Sequence, residues 1–488
     1  MQFRHDPADI LARLEALRAT DAPTSGGRLL SYVYDPGVAE LSDLAGAAAL
    51  RAQPLNGLDP TAFPSIGVME RDLVALGRDV LAGGDRDVVG SVTSGGTESC
   101  MLAVKSARDT WRSRTGAEHR PTLLIGATAH AAFHKAAQHL DVRLEVLPVD
   151  PATGRLRPQD VADALSPDVA LVVASAPSYP HGALDPIADI AEICAAQDVA
   201  LHVDGCIGGW VLPWWPGAEE RRWDLTVPGV TSLSVDLHKY GYAPKGVSLL
   251  LFRDRDRHRA HWFATTRWPG YAVVNPTLLG SRSAMPIAAG WAVTQALGPQ
   301  GFGELVEPMA RATARIREAI EHIEGLRVIG DPVGPLLAIA SDDAVPADRR
   351  VDPHRWSDAA DDDGWALQPQ PRHLQSDGTV LPRTTHLTIT PVTENVVDDL
   401  VAALTKAADR TRGVPGASAP AEFVAAAAQI DPADLTSEIS AGVLAMAGLD
   451  PKAGLTGPKA DILALVEELP APVAERLLIE FLARFLEP

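Results

Sequence analysis

Gly229-Val230-Thr231-Ser232-Leu233-Ser234-Val235-Asp236-Leu237-His238-Lys239-Tyr240-Gly241-Tyr242-Ala243-Pro244-Lys245-Gly246-Val247-Ser248-Leu249-Leu250-Leu251-Phe252 carries two apolar runs, 229–233 and 247–252, on either side of a polar connector. The runs read as strands and the connector as a rigid turn between them. A lysine so placed is a candidate for covalent chemistry, although most lysines are solvated surface charges. A lysine amine attacks a carbonyl only when neutral, which requires a depressed pKa or a standing carbonyl partner. Lys239 is singled out by the company it keeps elsewhere in the chain.

Upstream, strand-like runs at 122–125, 144–149, 169–174 and 199–203 are separated by helix-like segments that include 131–140 and 187–197. Such alternation implies βαβ units and an α/β fold, with a mainly parallel sheet covered on both faces. Sheets of this kind bind ligands at the carboxyl ends of their strands. The expected organisation is an N-terminal arm and helix (1–64), a large domain (65–300), a small α+β domain (301–410), and a linker with a helical C-terminal extension (411–488). Ile66, Met69, Leu73, Leu76 and Val80 mark a helix over 65–81, and Ile10, Leu14 and Leu17 a shorter one over 8–19. In the small domain the spacing predicts a helix over 303–323, strands at 327–329, 336–340, 365–368 and 385–390, and a helix over 394–408. Asp361-Asp362-Asp363 reads as a solvated acidic loop, and 413–420 as a linker by its Gly and Pro content. The apolar stripe from Ile462 to Phe485 predicts helices that pack on this subunit or on a neighbour.

The chain has 488 residues, 46% of them hydrophobic, and a formal net charge of −20. That balance, without a long basic run, argues against nucleic acid as a partner. Cys100, Cys194 and Cys206 are too few and too scattered for a disulfide framework or a CxxC metal site. The N-terminal residues show no apolar signal-type segment, and no run reaches the roughly 18 uncharged apolar residues of a membrane span. The expectation is a cytoplasmic protein acting on a small molecule.

Val92-Thr93-Ser94-Gly95-Gly96-Thr97-Glu98-Ser99 leads into a helical pattern. Two glycines let backbone amides turn inward at a helix N-terminus, where Thr97 or Ser99 can add a hydroxyl. The stretch reads as a phosphate cup or as an ordinary capped helix, and fits neither GxGxxG nor the P-loop. His130 and His134, at i and i+4, share a helix face but lack the glutamate of a zincin motif. Leu201-His202-Val203-Asp204-Gly205 ends an apolar strand in a carboxylate. An aspartate for a pyridinium nitrogen and a lysine for an aldehyde are the two partners that pyridoxal phosphate requires.

The ordered set TSGGTES, HAAFHKA, HVDG and SVDLHKYGYAPKG resembles the group II pyridoxal-phosphate-dependent decarboxylases, most closely the sphingosine-1-phosphate lyase branch. The resemblance runs from about Gly27 to about Ala408 and leaves the tail after Gly413 outside. It implies fold-type I architecture, with a mostly parallel sheet of the seven-stranded type, a small C-terminal domain, and a homodimer with shared active sites. By motif position it implies that Lys239 forms the internal aldimine, Asp204 pairs with the pyridine nitrogen and His130 stacks on the ring. Gly95, Gly96, Thr97 and Ser234 would serve the phosphate, His238 and Lys245 would assist proton transfer, and Ser281 would reach the neighbouring subunit's cofactor phosphate.

The resemblance leaves the broken bond open between decarboxylation and retro-aldol cleavage. Tyr34 aligns with an active-site tyrosine of the lyase branch. In Asn56-Gly57-Leu58-Asp59-Pro60, however, Asp59 stands where that branch has a histidine that receives a substrate phosphate, and an anion there would repel one. An L-amino-acid decarboxylase is the reading preferred on this ground, with Asn56 and Asp59 near the substrate and lyase-type cleavage of a phosphorylated long-chain amino alcohol as the alternative. No metal is expected. Two other classes stay open: a hydrolase holding a metal on His130, His134, His202 and Asp204, and a non-catalytic binding protein.

Overall fold

The computed structural model describes residues 3–218, 220–454 and 457–488. Three helices precede the sheet: α1 (Pro7–Arg18), α2 (Ala39–Ala52) and α3 (Pro64–Leu81). The central sheet is built from β1 (Val89–Thr93), β2 (Thr122–Gly126), β3 (Arg143–Leu147), β4 (Val169–Ser175), β5 (Ala200–Asp204), β6 (Val230–Val235) and β7 (Ser248–Phe252). Their order is β1-β7-β6-β5-β4-β2-β3. β7 runs antiparallel to both neighbours, and the other adjacent pairs are parallel. Strands β2, β4, β6 and β7 are buried at every position. Their complete burial, which in β6 includes the polar Thr231, Ser232 and Ser234, follows from a sheet covered on both sides.

The cover comes from α4 (Gly96–Thr115), α5 (Ala132–Leu140), α6 (Pro158–Ala164), α7 (Ile187–Ala196) and α8 (Arg255–Ala260). A hairpin of β8 (Phe263–Thr265) and β9 (Val273–Asn275) follows, and then the long α9 (Met285–Glu321). α9 begins well before the expected residue 303. It is broken at Gly298, whose φ of +54 is followed by Pro299, and the sequence pattern registered only the second half.

The small sheet joins β10 (Leu326–Val328), β11 (Leu336–Ser341), β12 (Gln368–Gln370) and β15 (Thr384–Thr388) in the order β10-β11-β15-β12, with a separate hairpin of β13 (His373–Leu374) and β14 (Val380–Leu381). It packs with α10 (Pro353–Asp361) and α11 (Val397–Thr411). The strand expected at 365–368 lies later because Trp365 turns inward under the Arg28 guanidinium, 4.0 Å from its ring centre. Ala366 instead exchanges backbone hydrogen bonds with Arg28 and Leu30, and Thr388 N donates to Leu30 O at 2.8 Å. The arm is thereby fixed on the small domain, which positions Tyr34.

Two loop expectations are corrected. Asp363 is not merely solvated: it pairs with Lys406 at 2.9 Å and Arg410 at 3.1 Å, and Asp361 pairs with Lys459 at 3.2 Å. The 413–420 stretch is not a free linker, since Ala417 and Ala419 are buried and Pro415 O accepts from Arg355 Nε at 3.1 Å. The tail, α12 (Ala421–Ala427), α13 (Ser437–Met446), α14 (Lys459–Glu468) and α15 (Ala471–Leu486), docks on its own chain. Asp358 accepts from Lys459 N and Ala460 N at the start of α14, and Arg383 donates to Glu467 at 2.6 Å. α1, by contrast, buries none of its residues. Among the described residues no helix is long and apolar enough to cross a membrane.

Candidate active site

Segments that follow β1, β2, β4, β5 and β6 converge on one cavity of about 320 Å³ at the carboxyl edge of the sheet. From the turn after β1 come Ser94, Gly95, Gly96, Thr97 and Glu98; from beyond β2 comes His130; from beyond β4 come Pro177, Ser178 and Tyr179; from β5 and its turn come Asp204 and Cys206; and from beyond β6 come Asp236, His238 and Lys239.

The cup at the start of α4 exists because two positions carry no side chain. A Cβ on Gly95, whose φ is +152, would stand 2.9 Å from His238 Cε1. On Gly96 it would stand 2.7 Å from Asp236 Oδ2 and 3.0 Å from Cys206 Sγ. The 20-residue α4 aims its free amides and its positive dipole end at this spot. Glu98 braces the cup by accepting Ser94 N and Leu278 N, each at 2.6 Å. Ser99 does not take part. Its hydroxyl is buried against Thr93 Oγ1 (2.7 Å) and Ser248 Oγ (3.1 Å).

Lys239 Nζ lies 2.9 Å from Asp236 Oδ2, and His238 Nε2 lies 3.6 Å from the same oxygen. Burial of the Lys239 ammonium works to lower its pKa, but the negative fields of Asp236 and its neighbours prevail and lift it well above the ordinary lysine value. The depressed pKa that sequence reasoning offered as one route to reactivity is therefore absent, and the route through a standing carbonyl partner is left. His238 Nδ1 accepts from Gly246 N (3.2 Å) and Val247 N (3.3 Å), so the neutral ring carries its proton on Nε2, toward Asp236. Asp236 was missed in the sequence; its signal was the Asp-x-x-Lys spacing within the connector.

Asp204 ends β5 with Oδ1 accepting from Cys206 N at 3.1 Å. Beneath it runs a buried polar chain: Cys206 Sγ donates to Ser234 Oγ and Ser234 donates to Asp204, both at 3.4 Å, while His202 Nε2 sits 3.2 Å from Ser234 Oγ. Burial pulls the His202 pKa down to about 4, so this histidine is neutral. Ser234, expected at the phosphate, supports Asp204 instead, because β6 pairs Ser234 directly with Asp204.

Tyr34 packs edge-on against Tyr240 at 4.9 Å, and Lys245 Nζ sits 4.6 Å above its ring while donating to His238 O at 2.9 Å. Partial burial and the nearby Lys239 charge pull the Lys245 pKa down to about 8. Tyr179, to which sequence reasoning assigned no role although its stretch (175–186) resembles the family, lines the cavity and stacks on His386 at 4.3 Å.

Asp59 is turned away. Its carboxylate accepts Thr61 N (2.8 Å), Thr61 Oγ1 (2.6 Å) and Ala62 N (3.3 Å), and it is not part of the cavity wall. Those hydrogen bonds hold its pKa below the usual aspartate value. Asn56 Nδ2 donates to Ser281 Oγ at 3.2 Å, and Arg282 reaches Gly57 O, Val92 O and Glu70; neither Asn56 nor Ser281 lines this chain's own cavity. The histidine metal set is not assembled: His202 is engaged below the sheet edge, and His134 faces His373 and Glu475.

These residues fit pyridoxal phosphate. The start of α4 lines the cavity with its free amides, Lys239 and Asp204 share that cavity, and the Ser178 hydroxyl on its wall is buried without a hydrogen-bond partner among the described residues.

Comparison with known proteins agrees. The pyridoxal-dependent decarboxylase conserved domain matches residues 52–338. A second family model, HTH_PLP, for a C-terminal domain of pyridoxal-dependent enzymes, matches 421–484, so the tail is not foreign to such enzymes as the sequence resemblance implied. That segment holds ten Asp or Glu against four Lys or Arg, a balance of −6 that opposes binding to nucleic-acid phosphates. The sphingosine-1-phosphate lyase of Dictyostelium discoideum is 37% identical over 339 residues, which is 68% of this chain but only 63% of that protein. That of Arabidopsis thaliana is 32% identical over 84% of this chain and 73% of its own length. The solved structure of a Burkholderia pseudomallei sphingosine-1-phosphate lyase superposes with a TM-score of 0.76 at 32% identity, covering 84% of this chain and 93% of that one.

Proposed function

The chain belongs to the pyridoxal-dependent decarboxylase family, and from that membership we propose that it cleaves the Cα–Cβ bond of a phosphorylated long-chain amino alcohol. It is a pyridoxal-phosphate-dependent carbon–carbon lyase with a fold-type I architecture. The choice of bond rests on one observation, the Lys245 amine placed over the Tyr34 ring, with burial and the Lys239 charge pulling its pKa down to about 8. Retro-aldol cleavage requires a base for the substrate's β-hydroxyl proton, whereas loss of carbon dioxide does not. The ground for preferring amino-acid decarboxylation is also gone, since Asp59 spends its carboxylate on Thr61 and Ala62. The relatives named above, all described as sphingosine-1-phosphate lyases, support the same reading.

When bound, pyridoxal phosphate supplies an electron sink for the bond that breaks at Cα. The chain's own residues do the rest. The Gly95-Gly96-Thr97 amides and the α4 dipole would hold the cofactor phosphate, and His130 would cover the ring. Asp204, held by Cys206 N and Ser234, would keep a proton on the pyridine nitrogen. Lys239 would anchor the cofactor aldehyde, and its amine would carry a proton to Cα. Lys245 Nζ would accept the β-hydroxyl proton, Tyr179 shapes the cavity wall, and Tyr34, which is not in that wall, positions Lys245 through its ring. A homodimer with shared sites is part of the same reading, with Ser281 serving the neighbouring phosphate. The exposed Trp268, Tyr271, Val274, Leu278 and Leu279 near β8 and β9 support it.

Incubation with a phosphorylated sphingoid base, beside a panel of L-amino acids, tests the assignment. Aldehyde release without carbon dioxide is expected. Carbon dioxide from an amino acid with no aldehyde from the phosphorylated base would overturn it.

A further inference from the structure

Three ligating atoms meet on the cavity wall without any metal having been expected there. The thiols of Cys100 and Cys206 and a carboxylate oxygen of Asp204 all lie within 4.8 Å of one another, and all three residues are buried. Cys100 comes from the first turns of α4, Asp204 from the end of β5 and Cys206 from the turn after it. A tetrahedral zinc ion, with bonds of about 2.3 Å to sulfur and 2.0 Å to oxygen, spaces its ligand atoms roughly 3.5–4 Å apart. The observed spacing needs only small side-chain rotations to reach that. Each of the three lines the cavity, which leaves the fourth coordination position open to solvent.

We propose that Cys100, Asp204 and Cys206 form a site for a thiophilic divalent ion such as Zn²⁺, which competes with the cofactor for the Asp204 carboxylate. Two thiols and one carboxylate suit zinc and cobalt better than magnesium or calcium. On binding, the two thiol protons leave to solvent as the metal–sulfur bonds form. Ser234, already bonded to Cys206 Sγ and Asp204, orients two of the three ligands. A dication on Asp204 repels a pyridinium nitrogen from the same oxygen pair, so metal and cofactor exclude each other. The competition rests on the assignment of Asp204 to the cofactor's ring nitrogen; the metal site itself does not.

Co²⁺ added to protein freed of cofactor is expected to bind at one equivalent per chain, with sulfur-to-cobalt charge-transfer absorption in the near ultraviolet. Cys100→Ser should weaken binding at least about tenfold and Cys206→Ser likewise. Uptake of pyridoxal phosphate by each variant, followed by its visible absorption, shows that the fold is kept. Added pyridoxal phosphate should expel the cobalt, and Zn²⁺ titrated into the holoenzyme should release cofactor into an ultrafiltrate. Absence of the charge-transfer band, or variants that bind cobalt as well as the parent, would overturn the site. Cobalt retained alongside bound cofactor would overturn the competition and, with it, the Asp204 assignment. Neither result bears on which substrate is cleaved, which product analysis decides separately.

Discussion

The Asp236 carboxylate, buried and three residues before Lys239, holds the Lys239 ammonium at 2.9 Å. This pair sets the protonation state of the amine that must capture the cofactor. Burial alone would depress the Lys239 pKa; with Asp236 present it is raised. Asp236→Asn should move the midpoint of cofactor capture to lower pH, followed by visible absorption as cofactor is added to the freed protein. The same change leaves a half-buried cation without its partner, and unfolding at a lower urea concentration is expected. A midpoint that stays in place would show that Asp236 does not govern this lysine.

Gly96→Ala tests the cup. The new methyl would fall 2.7 Å from Asp236 Oδ2 and 3.0 Å from Cys206 Sγ, which forces the start of α4, and the amides it offers the cofactor phosphate, to shift. Equilibrium dialysis should show pyridoxal phosphate bound at least about tenfold more weakly, since one lost anion-binding geometry at a helix N-terminus costs on the order of 1.4 kcal/mol. Unchanged affinity would move the phosphate elsewhere.

Lys245 gives the reaction a pH signature. Its pKa of about 8 makes the neutral amine scarce below that pH and abundant above it. As a base it should produce a kcat limb that rises through about pH 8. Lys245→Met should erase the limb and lower kcat about 100-fold or more. Lys245→Arg, which stays charged, should not restore it, although it keeps a cation over the Tyr34 ring. A limb that persists in both variants would assign the base to another group.

Asp59→Ala should leave the KM for a phosphorylated substrate within about twofold, because the carboxylate faces Thr61 and Ala62 and not the cavity; a capping group acts on the local turn. A slightly lower Tm is the expected cost. A marked fall in KM would restore Asp59 to the substrate's path.

The parts of this molecule that were legible in its sequence are those whose neighbours in space are also neighbours along the chain. Strands β2, β4 and β7 are mostly apolar runs, and they are so because both faces of the sheet are covered; β5 and β6 keep enough apolar residues to be read although His202, Asp204, Thr231, Ser232 and Ser234 interrupt them. β1 escaped because Val89-Gly90-Ser91-Val92-Thr93 is weakly apolar; it is held by pairing with β7, some 160 residues later. In the site, Lys239, Asp204 and the two glycines were readable from local patterns. Ser234 and Ser99 were misplaced, and Asp59 misread, because the direction in which a short polar side chain points is settled by partners such as His202, Ser248 and Thr61. Tyr179 became visible only through its stack on His386, more than 200 residues away.

The reversed direction of β7 has a consequence for how the site tolerates motion. Because β7 returns antiparallel to β6, the chain needs only residues 236–247 to turn back, with no crossover helix. Lys239 and Lys245 therefore ride on one short loop pinned at its two ends to the adjacent strands β6 and β7. The same loop is tied to the small domain, where the Tyr240 hydroxyl donates to Ile389 O at 2.8 Å, and to the arm, where Tyr34 packs on Tyr240 and under Lys245. A shift of either is therefore passed to anchor and base together, and not to one of them alone.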